Sequence, residues 1–286
     1  MTSRTRVGVA TVSVIAVSAL LIAWSWGRPG HGQYSNSDLA QAADESALQQ
    51  SADLRVFFAH QSVGGNIVGG VPAAYAHAGI PAPDVIEVTG TPHEVSSLPS
   101  SSDGFFAHTT VGVNGAPIGK VQEFDAWMRS GMADQVDVAF LKLCYIDFTA
   151  DTDVDAVFER YRETLGALER DYPKVEFVVL TTPLTTEPGM KTKVKALLGG
   201  NNPSPRDNAA RQRYNALLRA EYGTEVFDVA AFESTAPDGT RIRGAVDDQE
   251  YFALYDGYAL DEGHLNQTTS AVAAAQLMDF LADATR

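Results

Sequence analysis

Short apolar segments alternate with amphipathic segments along most of the chain. Five segments are rich in apolar, β-branched and aromatic residues and predict strands at 56–59, 85–88, 136–143, 175–180 and, as the last strand, 225–229. The fourth of them, VEFVVL, is almost continuously apolar, which is typical of a strand in the centre of a parallel sheet. The pattern therefore predicts strands that are buried on both faces.

Between these segments, apolar residues recur with the spacing of one helix face. The clearest stripe consists of Val154, Val157, Phe158, Tyr161, Leu165 and Leu168. Other helices are predicted at 63–78, 121–128, 204–222 and 267–284. Because strand and helix alternate, the sequence predicts right-handed crossovers and a three-layer α/β/α sandwich with a parallel central sheet.

Two stretches show neither pattern and predict long loops. The longer one spans 89–118 and contains Pro92, Pro99 and the glycine-rich sequence 112–115. The second spans 181–203. Loops of this length in a compact domain are usually functional or mobile, so the first is a source of candidate site residues.

The first thirty residues have the pattern of a membrane anchor. Arg4 and Arg6 precede an uncharged segment at 7–26, whose length is close to that needed to span a bilayer. Its tryptophans lie at its end, where an interfacial belt is expected. A cleaved signal sequence is the alternative, although its small-x-small cleavage motif is poor. Either interpretation places the rest of the chain outside the cytoplasm, with membrane contact through residues 1–30.

Two further regions follow this segment. Residues 31–53 are polar and predict a tether with one short helix within 37–50. Residues 54–286 are predicted to form the folded domain. With 286 residues, of which 45% are hydrophobic, the chain is large enough for one sizeable core.

Net charge, cysteine content and the lack of binding motifs exclude several classes of partner, disulfide and cofactor. A net charge of −15 argues against nucleic acid or an anionic membrane surface as the partner of the domain. The single cysteine, Cys144, excludes an internal disulfide and is predicted to be a core residue. The histidines do not combine with cysteine in a zinc-binding spacing, and no phosphate-binding glycine motif follows a strand. No metal and no other cofactor is therefore expected.

The segment 55–70, RVFFAHQSVGGNIVGG, joins a strand to a glycine-rich helix through a polar triplet. In α/β enzymes, a turn of this kind places a nucleophile at the start of a helix, which makes Ser62 the candidate nucleophile. His264 is the candidate base, and Asp261 is the candidate acid that orients it. Three alternatives stay open: Ser62 as a helix cap, His264 as a loop histidine, and Glu262 as the orienting acid.

These two blocks resemble a known family. Ser62 after the first strand and Asp261-x-x-His264 before the last helix resemble the first and last blocks of the SGNH (GDSL-type) hydrolases. The usual Gly-Asp-Ser is replaced here by His60-Gln61-Ser62, so the resemblance is to a divergent branch. It implies an SGNH/flavodoxin-like α/β fold and a serine esterase with a Ser-His-Asp triad and no cofactor. The expected substrate is a small acyl ester or an acylated glycan.

Two other functions are compatible with the same residues. Several relatives of the fold resemble O-acyltransferases of cell-envelope glycans, and acyl transfer to a sugar in preference to water would distinguish them. A non-catalytic envelope-binding domain is the second alternative, because the Gly-Asp before Ser62 is missing. Covalent reaction of Ser62 with a fluorophosphonate would distinguish that one.

The chain departs from the family pattern where oxyanion donors are expected. The family supplies a glycine amide and an asparagine side chain, but the third predicted strand ends in 144–147, CYID, without an asparagine. The backbone amide of Ser62 is one candidate donor by its position. Gly112 and Asn114 of the long loop are predicted to complete the hole. Asn66 is a competing side-chain donor, and Asn114 has a simple turn as its alternative role.

Four polar residues are candidates for lining the substrate pocket: His60, His108, Tyr145 and Asp147. His60 precedes the proposed nucleophile, His108 lies on the long loop, and the other two follow the third strand. Lys142 lies inside that apolar strand. If it is buried, it needs a carboxylate such as Asp147, and otherwise it points into the cleft.

Overall fold

The computed structural model describes residues 32–35, 38–39, 41–92, 98, 104–189 and 204–285. The predicted anchor lies outside these residues, as does part of the predicted loop at 181–203. Chain contacts divide the protein into Met1–Gly32 and Gln33–Arg286, and the helices and strands of the described residues belong to the second unit. None of these helices combines the length and the hydrophobicity needed to cross a bilayer.

A parallel sheet lies at the centre of this unit. In the described part of the chain its strands are β1 (Arg55–His60), β2 (Asp84–Glu87), β3 (Phe105–Thr110), β4 (Val138–Leu141) and β5 (Glu176–Phe177). Their spatial order is β2-β3-β1-β4-β5, and every neighbouring pair is parallel. Shorter strands pair outside it, β6 with β7 in parallel and β8 with β9 antiparallel: Val179–Leu180, Val226–Phe227, Arg243–Val246 and Gln249–Phe252.

Helices cover both faces of the sheet. They are α1 (Glu45–Ala52), α2 (Val63–Ala78), α3 (Pro117–Trp127), α4 (Val154–Asp171), α5 (Ser204–Tyr222), α6 (Val229–Glu233) and α7 (Gln267–Ala284). Val56 and Phe58 of β1 pack with α1, α2 and α7, whereas Phe57 and Ala59 pack with α3 and α4. Alternate residues of a strand point to opposite faces, so this division confirms the predicted three-layer α/β/α sandwich.

Helices α2 and α7 pack against each other at unusually short range. A Cβ atom at Gly70 would lie 2.2 Å from the backbone carbonyl oxygen of Ser270. Only glycine permits this approach, which explains one of the glycines that the sequence places in an otherwise apolar helix. The contact fixes the start of α7, and with it the loop that precedes α7, relative to α2.

The predicted tether is partly packed onto the domain. Leu48 of α1 is buried in the core, and Gln50 donates to the Ala282 carbonyl of α7 at 3.0 Å. Tyr34 stacks on Tyr258 with ring centroids 4.4 Å apart. The folded part of the chain therefore begins before residue 54, because the apolar side of α1 covers α7.

The predicted loop at 89–118 contains a strand that the sequence pattern missed. β3 lies between β2 and β1, and its phenylalanines, Phe105 and Phe106, are buried. Its second half, His108-Thr109-Thr110, is polar, so the apolar segment is too short to indicate a strand. The structure differs from the prediction in two further details. The predicted strand 175–180 is divided into β5 and β6 at Val178. The β8–β9 hairpin follows 225–229, which was predicted to be the last strand.

The carboxyl end of β1 lies where the chain changes direction across the sheet. Helix α2 leaves β1 on one face toward β2, whereas α3 connects β3 to β4 across the other face. In open parallel sheets, the crevice at such a point is the usual place for a ligand site. Ser62 follows β1 directly, so the fold places it at this crevice.

Candidate active site

Ser62 occupies a strained turn between β1 and α2. Its backbone has φ 54° and ψ −118°, a region that residues other than glycine rarely adopt. Its side chain makes no capping hydrogen bond to α2, which removes the interpretation of Ser62 as a helix cap. Backbone strain of this kind clusters at functional sites, where the surrounding packing must hold it. The conformation of Ser62 is therefore the one expected of a nucleophile.

His264 and Asp261 reach Ser62 from the loop before α7. The Ser62 hydroxyl lies 2.7 Å from Nε2 of His264. Nδ1 of His264 lies 2.8 Å from one carboxylate oxygen of Asp261 and 3.0 Å from the other. A proton on Nδ1 donates to the carboxylate, which leaves Nε2 free to accept the serine proton. The structure thus joins the three predicted residues in one chain of hydrogen bonds.

The acid beside His264 is Asp261 and not Glu262. The carboxylate of Asp261 accepts the backbone amides of Gly263 at 2.9 Å and of His264 at 2.8 Å. The Gly263 amide is the strongest influence that lowers the pKa of Asp261, and the amide and ring of His264 add to it. Asp261 is therefore ionised at neutral pH. The backbone carbonyl of Glu262 accepts the Thr186 amide at 2.8 Å, which ties this loop to a neighbouring one.

Two side-chain amides connect the Ser62 turn to neighbouring loops. Gln61 donates to the carbonyls of Val111 at 2.7 Å and of Gly112 at 2.6 Å, which links the end of β1 to the loop after β3. Asn66 accepts the Leu265 amide at 3.3 Å, which links α2 to the loop before α7. The sequence suggested Asn66 as an oxyanion donor, and the structure uses its oxygen to hold that loop.

Tyr145 lies beside both Ser62 and His264. Its ring stands edge-on to the imidazole with centroids 5.8 Å apart. Burial raises the pKa of its hydroxyl, and the nearby Ser62 side chain opposes this rise. A Cβ atom at Gly263 would lie 2.6 Å from the ring, so the phenol packs directly on the loop that carries the histidine. Of the four predicted pocket residues, Tyr145 is the one placed next to the Ser62 hydroxyl.

Asp147 does not line a pocket, contrary to the prediction. It is 2% exposed and forms a fully buried ion pair with Lys120 at 2.8 Å. Its carboxylate also accepts the backbone amides of Gly115 at 2.9 Å and Cys144 at 2.7 Å. The Cys144 thiol is buried as well and donates to the Gln61 carbonyl at 3.4 Å. Asp147 therefore anchors α3 and a loop to the end of β4.

Lys142 is completely buried, and Asp147 is not its ion-pair partner. Its ammonium lies 3.4 Å from the Leu143 carbonyl and 3.8 Å from the Cys144 sulfur. Burial is the main cause that lowers the pKa of Lys142. The side chain consequently lies inside the domain and does not point into an open cleft.

His60 and His108 pair with each other. His60 is 3% exposed, and its Nε2 lies 3.1 Å from Nδ1 of His108. Burial, followed by the charges of Lys142 and His108, lowers the pKa of His60 to about 3, so its ring is neutral. Burial also lowers the pKa of the half-buried His108. Because the ring of His60 is buried, the prediction that it lines the pocket is wrong.

Among the residues that the structure describes, no His, Cys, Asp or Glu cluster is suited to a metal ion.

The predicted oxyanion donors Gly112 and Asn114 both contact side chains of α3. The Gly112 amide donates to the Glu123 carboxylate at 2.9 Å, so it does not point at an incoming carbonyl. Asn114 is exposed, and its side-chain oxygen accepts the Lys120 ammonium at 2.8 Å. The Gly112 amide is therefore occupied, whereas the contact of Asn114 uses its oxygen, and donation by its side-chain nitrogen stays a prediction.

The solved structures that are similar to this chain include the following two. A Streptococcus pneumonia protein, described provisionally as a platelet activating factor, is 16% identical with a TM-score of 0.45, over 94% of this chain and 99% of that one. A Desulfitobacterium hafniense protein, described provisionally as a lipolytic protein of the G-D-S-L family, is 9% identical with a TM-score of 0.29, over 70% of this chain and 98% of that one. Neither a protein-family model nor a curated protein sequence matches the chain.

Two buried cations at the site were missed by the sequence interpretation. Lys120 falls on the apolar stripe of α3, and a lysine in such a stripe indicates a buried carboxylate partner. Arg211 of α5 is 3% exposed and donates through Nε to the Tyr145 carbonyl at 2.8 Å. No local pattern reveals this second contact, because it depends on how α5 packs against the end of β4.

Glu233, at the end of α6, is a buried acid whose titration should affect stability. It is fully buried, accepts the Leu184 amide at 2.6 Å, and has Lys142, Arg211 and Asp228 as its charged neighbours. Burial raises the pKa of Glu233 from 4.5 to about 8, although the Leu184 amide and the two cations oppose this. The folded protein therefore retains a proton that the unfolded chain releases between these two pH values.

This difference predicts a pH dependence of the free energy of unfolding. Stability from Glu233 is complete below its unfolded pKa and is lost as the pH rises through its folded pKa, at up to about 1.4 kcal/mol per pH unit. Glu233→Gln should remove this loss, which urea unfolding between pH 4 and 9 will measure. The exposed Glu163→Gln is the matched control. Parallel pH profiles for wild type and Glu233→Gln would contradict the assignment.

Proposed function

We propose that this chain is a serine hydrolase that cleaves ester bonds through Ser62, His264 and Asp261. The observation that carries the proposal is the continuous hydrogen-bonded chain from the Ser62 hydroxyl through both ring nitrogens of His264 to Asp261. Ser62, where this chain of hydrogen bonds begins, is a strained residue at the carboxyl end of a parallel strand, where α/β enzymes place reacting groups. The side chains belong to distant parts of the sequence, so sequence proximity does not account for their meeting.

The arrangement suits a two-step acyl transfer. His264 Nε2 takes the proton of Ser62 as the oxygen attacks the acyl carbon, and it then gives this proton to the departing alcohol. Asp261 keeps Nδ1 protonated and stabilises the imidazolium that forms in between. Water then attacks the acyl-serine, with His264 acting again as the base. The reaction needs only these side chains and oxyanion donors.

We further propose that the substrate is a small acyl ester or an acylated glycan outside the cytoplasm, with residues 1–30 attaching the protein to a membrane. The support for this location is the uncharged segment after Arg4 and Arg6. Recovery of the full-length protein in the soluble cytosolic fraction would contradict it.

A fluorophosphonate probe tests the central proposal. Such a probe forms a stable bond only with an activated serine, so the wild-type protein should be labelled and Ser62→Ala should not. Peptide mapping of the labelled protein should place the adduct on Ser62. Absence of labelling in correctly folded wild-type protein would instead support the alternative of a non-catalytic binding domain.

A further inference from the structure

The site has a nucleophile, a base and an acid, whereas the hydrogen bond that the structure gives Asn114, the predicted side-chain donor for the oxyanion, is to Lys120. Hydrolysis of an ester places negative charge on the carbonyl oxygen, and donors aimed at that charge contribute much of the rate. The Gly112 amide is bonded to Glu123, and Asn114 is exposed with its oxygen on Lys120. The end of β4, where related hydrolases present an asparagine, presents Tyr145 in this chain.

We propose that the hydroxyl of Tyr145 is the side-chain donor that stabilises the oxyanion, an inference that rests on the proposed hydrolase function. The ring stands edge-on to the imidazole of His264 with centroids 5.8 Å apart, and the Ser62 hydroxyl lies 2.7 Å from Nε2 of the same imidazole. The carbonyl oxygen of a bound ester lies one bond from the carbon that Ser62 attacks, so the oxyanion forms beside this imidazole. A phenol that packs on the loop carrying His264 is therefore within reach of the new oxyanion.

The phenol is held in this position from several sides. Arg211, itself 3% exposed, donates to the Tyr145 carbonyl at 2.8 Å, and its guanidinium lies 5.7 Å from the ring centroid. Asp147 accepts the amide of the preceding residue, Cys144, at 2.7 Å. On the opposite side the ring packs against the backbone of Gly263. A donor fixed before the reaction needs little reorganisation when charge develops, and this is what makes such a donor effective.

The protonation state of the phenol is suited to donation. Burial is the main cause that raises the pKa of Tyr145, and the negative charge of Asp261 acts in the same direction. The hydroxyl consequently keeps its proton at neutral pH and donates a hydrogen bond without transferring that proton.

The attack itself creates the acceptor for the phenol. A serine hydroxyl has one proton and two lone pairs, so Ser62 donates to His264 and keeps a lone pair for the acyl carbon. When a lone pair of Ser62 forms the bond to the acyl carbon, the serine proton passes to His264 and the carbonyl π electrons move to oxygen. The serine oxygen becomes a weaker acceptor, whereas the adjacent oxyanion becomes a strong one. The phenol proton can then turn to the oxyanion as the charge appears.

Tyr145→Phe tests this role, because it removes only the hydroxyl. We expect kcat for a p-nitrophenyl ester to fall by about 10²–10³-fold, the size typical of losing one such donor, with KM changed little. Affinity for an alkyl boronic acid, which forms a tetrahedral adduct on Ser62, should weaken in parallel. The matched control is Tyr172→Phe, a half-buried tyrosine after α4 at the opposite edge of the sheet, which should retain wild-type kinetics.

The outcomes separate this inference from the proposed function. If the wild-type protein neither hydrolyses the ester nor reacts with a fluorophosphonate, the hydrolase proposal fails. If the wild type is active and folded Tyr145→Phe keeps its kcat, the inference about Tyr145 is wrong. It is also wrong if kcat falls while boronic acid affinity is unchanged, because Tyr145 would then only position Ser62. Thermal unfolding of both tyrosine variants will verify that each is folded.

Discussion

Ester hydrolysis is expected to fall by roughly 10⁴–10⁶-fold when either Ser62 or His264 is replaced by alanine. Without Ser62 there is no nucleophile, and without His264 the serine hydroxyl keeps its proton. The Ser62→Ala/His264→Ala double variant should lose little more than each single variant, because the two residues act as one unit. Asp261→Ala should lose less, since a poorly oriented imidazole still accepts protons part of the time.

Initial rates with a p-nitrophenyl ester, together with thermal unfolding, will measure these effects. Neither replacement removes buried apolar packing, so both variants should be folded. Ser62→Ala protein with wild-type turnover would refute the central proposal. Losses from the two single variants that multiply in the double variant would show that Ser62 and His264 act independently.

The largest expected effect on stability comes from Asp147→Ala. This change leaves the ammonium of Lys120 buried without its carboxylate, which typically costs about 3–5 kcal/mol of the free energy of unfolding. The amides of Gly115 and Cys144 lose their acceptor as well. Urea unfolding will measure the loss.

An exposed ion pair supplies the control for this prediction. Asp155 pairs with Arg213, and each side chain is 60% exposed. Asp155→Ala should change the free energy of unfolding by less than about 1 kcal/mol, because water replaces the lost partner. Similar losses in Asp147→Ala and Asp155→Ala would contradict the interpretation that burial makes the Lys120–Asp147 pair important.

Local sequence patterns predicted the fold better than they predicted the individual contacts. The helix at Val63–Ala78 and the one at Gln267–Ala284 have the predicted bounds, because each has a clear start and a long apolar face. β3 was missed because its second half, 108–110, is polar. Thr109 is nevertheless buried and donates its hydroxyl to the Val88 carbonyl at 2.7 Å, a tertiary contact that the apolar pattern cannot indicate.

At the candidate site, too, the sequence predicted local features but not contacts between distant segments. The spacing of Asp261 and His264 is local, so the sequence could indicate that an acid and a base lie together. The partner of Gly112 could not be predicted, because Glu123 reaches it from a neighbouring helix and nothing in the loop sequence requires that bond. The same holds for Arg211 and Tyr145, whose contact depends on the packing of α5.

The reactivity of the buried Cys144 thiol can be used to measure local opening of the fold. Its sulfur is bonded to the carbonyl of Gln61, the residue before the proposed nucleophile, and it is the single cysteine in the sequence. A thiol reagent can reach it only when this part of the fold opens transiently. The rate of Cys144 modification in native protein, divided by the rate in the unfolded chain, therefore gives the free energy of opening at the Ser62 turn, without any introduced label.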